Sequence, residues 1–231
     1  MTSVRIATWN CADGLERKLP LFRRIDADLI VISEVRRAAF AALAPGFAGA
    51  FYTPSSSARG IASFCRHPGL LQHAFAAPEG AECYQRLTFG GIDILAAWVK
   101  PQGSYISSAT KAISGFLQSP QSPYRIVLGD LNLNPRFDRD RQAGPTKALI
   151  ASLEAGDMRS LYHQHSSEEH GAESHATHHF LRDATRPFHI DYIFASHPLR
   201  LTGFAIGQPQ DWIGKRLGDH MPLTAELQVP G

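Results

Sequence analysis

Four short fragments of this chain end an apolar run on a side chain that can do chemistry. Thr8-Trp9-Asn10 and Ser33-Glu34-Val35 close two early runs, Gly129-Asp130-Leu131-Asn132 follows a third, and Asp219-His220-Met221-Pro222-Leu223 precedes the last. The ends of buried strands are where open α/β sheets build their sites. Carboxylates suit a hard cation, an amide can donate to a phosphate oxygen, and an imidazole exchanges protons near neutral pH. Together these residues suit metal-assisted hydrolysis of a phosphoester, with a site assembled from the whole chain.

Each fragment alone also has a plainer explanation. An ionised Glu34 closing Leu29–Ser33 is costly unless paired or metal-bound, yet it could cap the following helix, whose dipole favours a negative first turn. Asn10 could be a turn residue. Asp130 and Asn132 lie two apart, and alternate side chains of a strand face one way, about 7 Å apart, so acid and amide would meet one pocket. An Asx turn would account for the same tetrapeptide. Asp191 alternates with Ile190, Tyr192 and Phe194 inside His189–Phe194. A buried aspartate needs a partner, and we expect His220, held as a carboxylate holds an imidazolium; a bond from Asp191 to backbone is the alternative.

These side chains need strands to carry them. Val4–Trp9 alternates, and Leu29–Ile32 is a continuous apolar run, as for a strand covered on both faces. Leu15, Leu19, Phe22 and Ile25 recur between them at helical spacing. Further strands are expected near Phe47–Tyr52, Ile61–Cys65, Tyr84–Phe89, Ile92–Val99, Arg125–Leu128, His189–Ala195, Leu199–Ile206 and Leu223–Val229, with helices at Arg36–Leu43, Ser104–Leu117 and Pro145–Leu153. Gly90-Gly91 between two runs signals a tight hairpin, so the sheet is mixed. No repeat or linker divides residues 1–231, and one α/β domain is expected.

Composition narrows the partners. A net charge of +2 provides no global field for nucleic acid, so any such footprint must be local. The three cysteines lack metal-ligand spacing and suit a reduced, cytoplasmic protein. The chain enters a strand by Val4 without a signal-like run and has no segment of membrane-span length, and nothing implies an obligate protein partner.

The ordered set Trp9-Asn10, Ser33-Glu34, Gly129-Asp130-Leu131-Asn132, Ile190-Asp191-Tyr192 and Asp219-His220-Met221-Pro222-Leu223 resembles the endonuclease/exonuclease/phosphatase superfamily, exonuclease III-like and DNase I-like, from Val4 to about Leu227. The stretch from Tyr162-His163 to Ile190-Asp191 looks most like a subgroup of short bacterial members. The resemblance implies a four-layer α/β sandwich, two mixed sheets face to face with helices outside, and a hydrolase using Mg²⁺ or Mn²⁺. Carried over by position, Glu34 is the principal metal ligand with Asp219 and Asn10 close by. Asp130 orients or deprotonates water, Asn132 binds the scissile phosphate, and His220, held by Asp191, stabilises phosphoryl charge.

Two departures stand out. Relatives carry a phosphate-contacting Tyr or His after the strand matching Ile92–Val99; here Lys100 or Tyr105 must serve. Asp13 lies three residues after Asn10, where AP endonucleases place an acid two residues on. The segment Tyr162–His179 is polar and His-rich and reads as a long loop. Its His165, His170, His175 and His178 either form a second, softer metal site or are solvated, while His179 and Phe180 are expected to line the pocket. For the substrate, Arg136, Phe137, Arg139 and Arg141, with Arg59 and Arg66, suit a nucleic-acid backbone, and DNA is the expected substrate. A small-molecule or lipid phosphate ester is the in-class alternative, and a non-catalytic binding module the alternative outside it.

Overall fold

The computed structural model describes residues 2–75, 83–101, 103–140, 143–214 and 217–230. Its first strands are β1 (Thr2–Asn10), β2 (Leu29–Arg36), β3 (Gly49–Pro54), β4 (Arg59–Cys65), β5 (Leu71–Phe75), β6 (Tyr84–Phe89) and β7 (Ile92–Trp98). Then come β8 (Arg125–Asp130), β9 (Met158–Ser160), β10 (His178–His179), β11 (Pro187–Phe188), β12 (Asp191–Ser196), β13 (Arg200–Ile206) and β14 (Leu223–Val229). The helices are α1 (Leu19–Phe22), α2 (Arg37–Leu43), α3 (Tyr105–Gln118), α4 (Pro145–Ala155), α5 (Leu161–Ser166) and α6 (Pro209–Trp212).

Two six-stranded sheets form, in the orders β13-β14-β1-β2-β4-β3 and β5-β6-β7-β8-β12-β9. Each is mixed, with one parallel pair, β1–β2 in the first and β7–β8 in the second. Strand alternation sorts the residues into layers. Val4 and Ile6 of β1, Leu29 and Val31 of β2, Ile94 and Ala96 of β7, Ile126 and Leu128 of β8, and Ile193 of β12 fill the core between the sheets. The intervening Ala7, Trp9, Ile30 and Ile32 turn outward onto Leu21, Phe22 and Trp212. On the far side Leu95, Val127 and Phe194 pack under α3 and α4 through Ile113, Phe116 and Leu149. This is the expected four-layer sandwich. No helix of the described residues is long and apolar enough to cross a membrane.

The register carries the inner face straight to the chemistry. Continuing the inward alternation, β1 runs Val4, Ile6, Thr8, Asn10, β8 runs Ile126, Leu128, Asp130, and β12 begins at Asp191. The apolar layer between the sheets therefore ends on polar residues along one edge.

Three local features differ from the sequence expectation. Leu15 to Ile25 is not one helix but a 3₁₀ turn, Leu15–Arg17, and the single turn α1. Pro20 has no N–H and would clash with a carbonyl one turn back, so no helix can run through it. The polar segment Tyr162–His179 is not an open loop, since it begins in α5 and ends in β10, which pairs with β11. Strands β5 and β9 were not foreseen; β9 is only three residues long. The Gly90-Gly91 hairpin forms as expected, with Phe89 paired to Ile92 and both glycines at positive φ, 54° and 82°.

Gly129 does more than allow a turn. It lies inside β8 at φ 132°, and a Cβ there would stand 1.9 Å from the Ala97 carbonyl oxygen of β7. Gly129→Ala should therefore force β7 and β8 apart and destabilise the fold by about 1–3 kcal/mol or more. Urea unfolding would measure the loss, and an unchanged midpoint would contradict this close approach.

Candidate active site

Glu34 reaches the site through a β-bulge. The β2–β4 register slips between Ser33 and Val35, and Glu34 takes φ 63°. Ser33 faces inward and Val35 is buried with the outer layer, so the extra residue aims the carboxylate out of the strand end. It is not the cap of α2, whose N-cap residue is Arg36. Arg59 pairs with one carboxylate oxygen, and the Asn10 amide nitrogen lies 3.1 Å from the other.

Asn10 spans the gap between the sheets. The same Nδ2 donates to Asp130 Oδ2 at 2.9 Å, while Oδ1 accepts the Ala12 N–H at 2.9 Å. The amide nitrogen, not the oxygen, thus faces the carboxylates, and Asn10 acts here as a bridge between acids rather than as an oxygen ligand. Behind it the buried Lys18 ammonium ties down the Cys11 and Ala12 carbonyls, which holds the turn. Asp13 pairs with Arg36 and does not enter the site.

Asp130 ends β8 and is 2% exposed. The strand stops there, so Asn132 is not a further extended residue on the same face. At φ 52° it folds back, its N–H 2.9 Å from Asp130 Oδ1 and its Nδ2 3.2 Å from Oδ2 and 3.1 Å from the Val99 carbonyl. The Asx turn is present, and the expected phosphate-binding amide is spent on orienting Asp130.

Directly across the ladder from Asp130 stands Asp191, 1% exposed. Its Oδ2 accepts from His220 Nδ1 at 2.8 Å, so the expected dyad forms, and its Oδ1 is buried without a hydrogen-bond partner. Burial, and then the charge of Asp191, push the Asp130 carboxyl up to about 7 against the pull of His220 and Asn10. Burial opposes a charge on His220, yet Asp191, by charge and hydrogen bond, outweighs it and lifts the imidazole to about 9. Thr177 Oγ1 accepts the N–H groups of Ile190 and Asp191, each at 3.0 Å, and the Thr177 carbonyl accepts the Met221 N–H at 2.8 Å. One buried threonine thus seats both halves of the dyad.

A pocket of about 450 Å³ joins these groups, bordered by Asn10, Glu34, Asp130, Asn132, Asp219 and His220. Lys100 and Tyr105 border it as expected, Lys100 with its Nζ 5.1 Å from the Trp98 ring centre. Arg136 does not; it is exposed on the 3₁₀ turn Pro135–Phe137. Nor does His179, because β10 alternates and it is His178 that meets the pocket, its ring 4.3 Å from that of His220. Phe180 borders the pocket, as expected. Arg139 is also exposed, and Arg141 lies outside the described residues. Arg66 is committed to the Ala27 and Ile25 carbonyls. Lys18, Trp98 and Thr177 were not foreseen, since nothing in a lone lysine, threonine or strand tryptophan distinguishes it before the fold is known, and His178 was expected only in a second metal set.

The His-rich segment is packed only in part: His178 and His179 are buried and His163 and His170 half-buried, while His165 and His175 are exposed, as solvated loop residues are. Tyr162 bonds Glu168, and its hydroxyl is 3.2 Å from His175 Nδ1. His163 stacks on His170 with ring centres 3.5 Å apart, and burial holds His170 down to about 3. The foreseen set His165, His170, His175 and His178 is not brought together: His178 groups instead with Asp219 and His220, their donor atoms within 4.8 Å of one another.

The donor set fits a hard divalent cation: Glu34 and Asp219 offer carboxylate oxygens to one open pocket, Asp130 and Asp191 add buried negative charge, and Asp191 Oδ1 lacks a partner. The crowding has a thermodynamic signature. The Asp130 carboxyl, pushed up to about 7, lies above an unfolded carboxylate at ~3.9, so between those values this residue binds more protons in the folded chain than in the unfolded one. Asp130's own contribution to metal-free stability should therefore fall as pH rises from about 4 to 7, which the difference between wild type and Asp130→Asn isolates from the buried histidines. In EDTA at pH 8, Asp130→Asn keeps the turn, sheds the charge and should raise Tm by about 2–4 °C per kcal/mol relieved. A thermal scan showing no gain would count against a strained pair.

The architecture has close structural counterparts. The 3′ phosphatase NExo from Neisseria bound to product DNA hairpin superposes with TM-score 0.75 at 18% identity, over 97% of this chain and 99% of that one. An AP endonuclease from Archaeoglobus fulgidus gives 0.74 at 18%, over 98% and 100%. D. rerio TDP2 complexed with single strand DNA product gives 0.69 at 16%, over 99% and 100%. No curated protein is similar to it in sequence at a significant level. A sequence profile of the Endonuclease/Exonuclease/phosphatase family matches residues 7–220, a span that runs from β1 through His220 and includes every acid and amide of the pocket. The chain belongs to the Endonuclease/Exonuclease/phosphatase family.

Proposed function

We propose that residues 1–231 act as one catalytic domain that hydrolyses phosphodiester bonds in DNA with Mg²⁺ or Mn²⁺. The observation that carries this reading is the Asn10 bridge, which joins Glu34 on one sheet to Asp130 on the other; two carboxylates at one pocket support a metal-binding role for the first and a water-activating role for the second. Asp130, pushed up to about 7, can take a proton from an attacking water near neutral pH. Asn10 and Asn132 hold its carboxylate in place. His220, cationic beside Asp191, faces the charge that develops on the phosphoryl oxygens, and Lys100 and Arg59 add positive charge at the rim. Glu34 and Asp219 would hold the cation, which when bound supplies charge neutralisation for those oxygens.

DNA is favoured over a small ester by the pocket's lips. Five large hydrophobic side chains of the described residues are exposed, and three of them, Tyr105 at 41%, Phe180 at 40% and Leu181 at 68%, border this pocket. Leu181 and Arg182 both take left-handed backbone, φ 56° and 61°, which is costly for side-chain-bearing residues and thrusts Leu181 outward. Aromatic and apolar side chains beside cations suit bases flanking a scissile phosphate. The solved structures bound to a DNA hairpin and to single strand DNA product support the same substrate class.

End-labelled single-stranded, duplex and abasic oligonucleotides should be cut with Mg²⁺ or Mn²⁺ and left intact in EDTA. Asp130→Asn should lower turnover about a hundredfold or more while binding persists. Full cleavage in EDTA, or near-normal turnover of well-folded Asp130→Asn protein, would refute this mechanism.

The lips predict a split between substrates. Phe180→Ala with Leu181→Gly should weaken oligonucleotide binding by about 1–3 kcal/mol per stacked base lost and leave hydrolysis of a small aryl phosphodiester nearly unchanged. Equal losses on both substrates would assign the lip to folding, and a protein that turns over only the small ester would be a small-molecule phosphodiesterase.

A further inference from the structure

Behind the dyad, the segment 161–179 closes on three ligand-type side chains that the reaction does not use. His163, on α5, is 2.7 Å from Ser160 Oγ through Nδ1 and 3.2 Å from Glu173 Oε1 through Nε2. Glu173 is almost wholly buried and fixed at both oxygens, Oε1 by the Gly171 N–H at 2.9 Å and Oε2 by Asn134 Nδ2 at 3.1 Å. His170 lies on the His163 ring, and its Nδ1 is buried with no hydrogen-bond partner among the described residues. One donor atom from each of the three falls within 4.8 Å of the others. None of them borders the pocket that holds Asp130.

We propose that His163, His170 and Glu173 form a second cation site, for Zn²⁺, whose role is to fasten the loop that seats the catalytic dyad. Two imidazoles and a carboxylate are a zinc ligand set with a fourth position open, and imidazole favours such ions over Mg²⁺. Tetrahedral bonds of about 2.0–2.1 Å put neighbouring ligands roughly 3.3 Å apart, close to the present His163–Glu173 separation of 3.2 Å. Outer partners are already in place. Ser160 on Nδ1 leaves Nε2 to face the ion, and Asn134 steadies the far oxygen of Glu173. The open side gives onto a cavity of about 780 Å³ lined by His163, His170, Glu168 and Glu169. One adjustment is required: the two rings lie 27° from parallel, so His170, unbonded at Nδ1, must turn about its side chain to share an ion with His163.

The consequence reaches the dyad along the chain. Thr177 follows Glu173 by four residues and holds Ile190, Asp191 and Met221 through its hydroxyl and carbonyl. An ion held between His163 and Glu173 would fix the start of the stretch that delivers that threonine.

The test uses Co²⁺ as the probe on metal-stripped full-length protein, in wild type and in a Glu34→Gln/Asp219→Asn double variant that disables the catalytic pocket. One equivalent should give intense tetrahedral visible bands in both, beside any second ion that the intact catalytic pocket of wild type takes up, and Zn²⁺ should displace the tetrahedral ion and raise Tm. His170→Gln and Glu173→Gln should each weaken binding at least about 100-fold. No tetrahedral bands in wild type overturns the proposal, without recourse to any variant. So do bands that vanish in the double variant but persist in His170→Gln, because the cobalt is then in the catalytic pocket. Cleavage of DNA with Mg²⁺ by a protein that shows no such bands would sink the second site and leave the proposed activity standing.

Discussion

Two carboxylates, Asp130 and Asp191, face each other across neighbouring antiparallel strands with almost no access to water. Such a pair is unstable in isolation: each charge is desolvated and each repels the other. Around it, the site supplies what the pair lacks. Asn10 and Asn132 donate to Asp130, Thr177 collects the amides beside Asp191, and His220 lies against Asp191 as a cation. The arrangement leaves one carboxyl poised near neutrality and one imidazole held charged, the opposed acid and base that hydrolysis requires. Stability is given up locally to obtain that poise, and a divalent cation with its added positive charge would relieve the crowding.

The layered fold exists to bring this pair to an edge. Strands ending on Asn10 and Asp130, and an aspartate within the apolar run His189–Phe194, were visible in the sequence; that all three continue the inward apolar faces emerges only with the register. The dyad was legible because a buried aspartate in an apolar strand needs a partner, and the four-layer order followed from the resemblance carried by the motif set. What alternation cannot encode is a break in itself. Glu34 reaches the pocket only because a bulge inserts one residue, and Asn132 folds back because the strand ends one position sooner than a two-residue repeat assumes. Both depend on left-handed backbone at a residue that is not glycine, which tertiary contacts impose and local propensity opposes.

The remaining surprises share one cause. His178 rather than His179 meets the pocket because a two-residue ribbon, β10 with β11, sets the parity of that segment, and two residues are too few to leave a pattern. Arg136 was read as a phosphate contact from its company of arginines. In the fold, the neighbouring Asp138 instead accepts the Thr146 N–H and hydroxyl in the first turn of α4, which ties the loop to the helix start and leaves Arg136 and Arg139 exposed. The polar composition of Tyr162–His179 suggested solvent, which holds for the exposed His165 and His175, whereas His163 and His170 stack and His178 and His179 are buried.

Because Asn10 belongs to one sheet and Asp130 to the other, the width of the site is the thickness of the apolar layer beneath it. Ile6, Val31, Ile126 and Leu128 touch neither metal nor phosphate, yet they act as the spacer of a calliper whose jaws are the two sheets. A methylene added to or taken from that spacer would be felt at the jaws as a change in the 2.9 Å bridge. In such a fold the hydrophobic core is part of the measuring apparatus of the active site, and its packing tolerance is narrower than stability alone would demand.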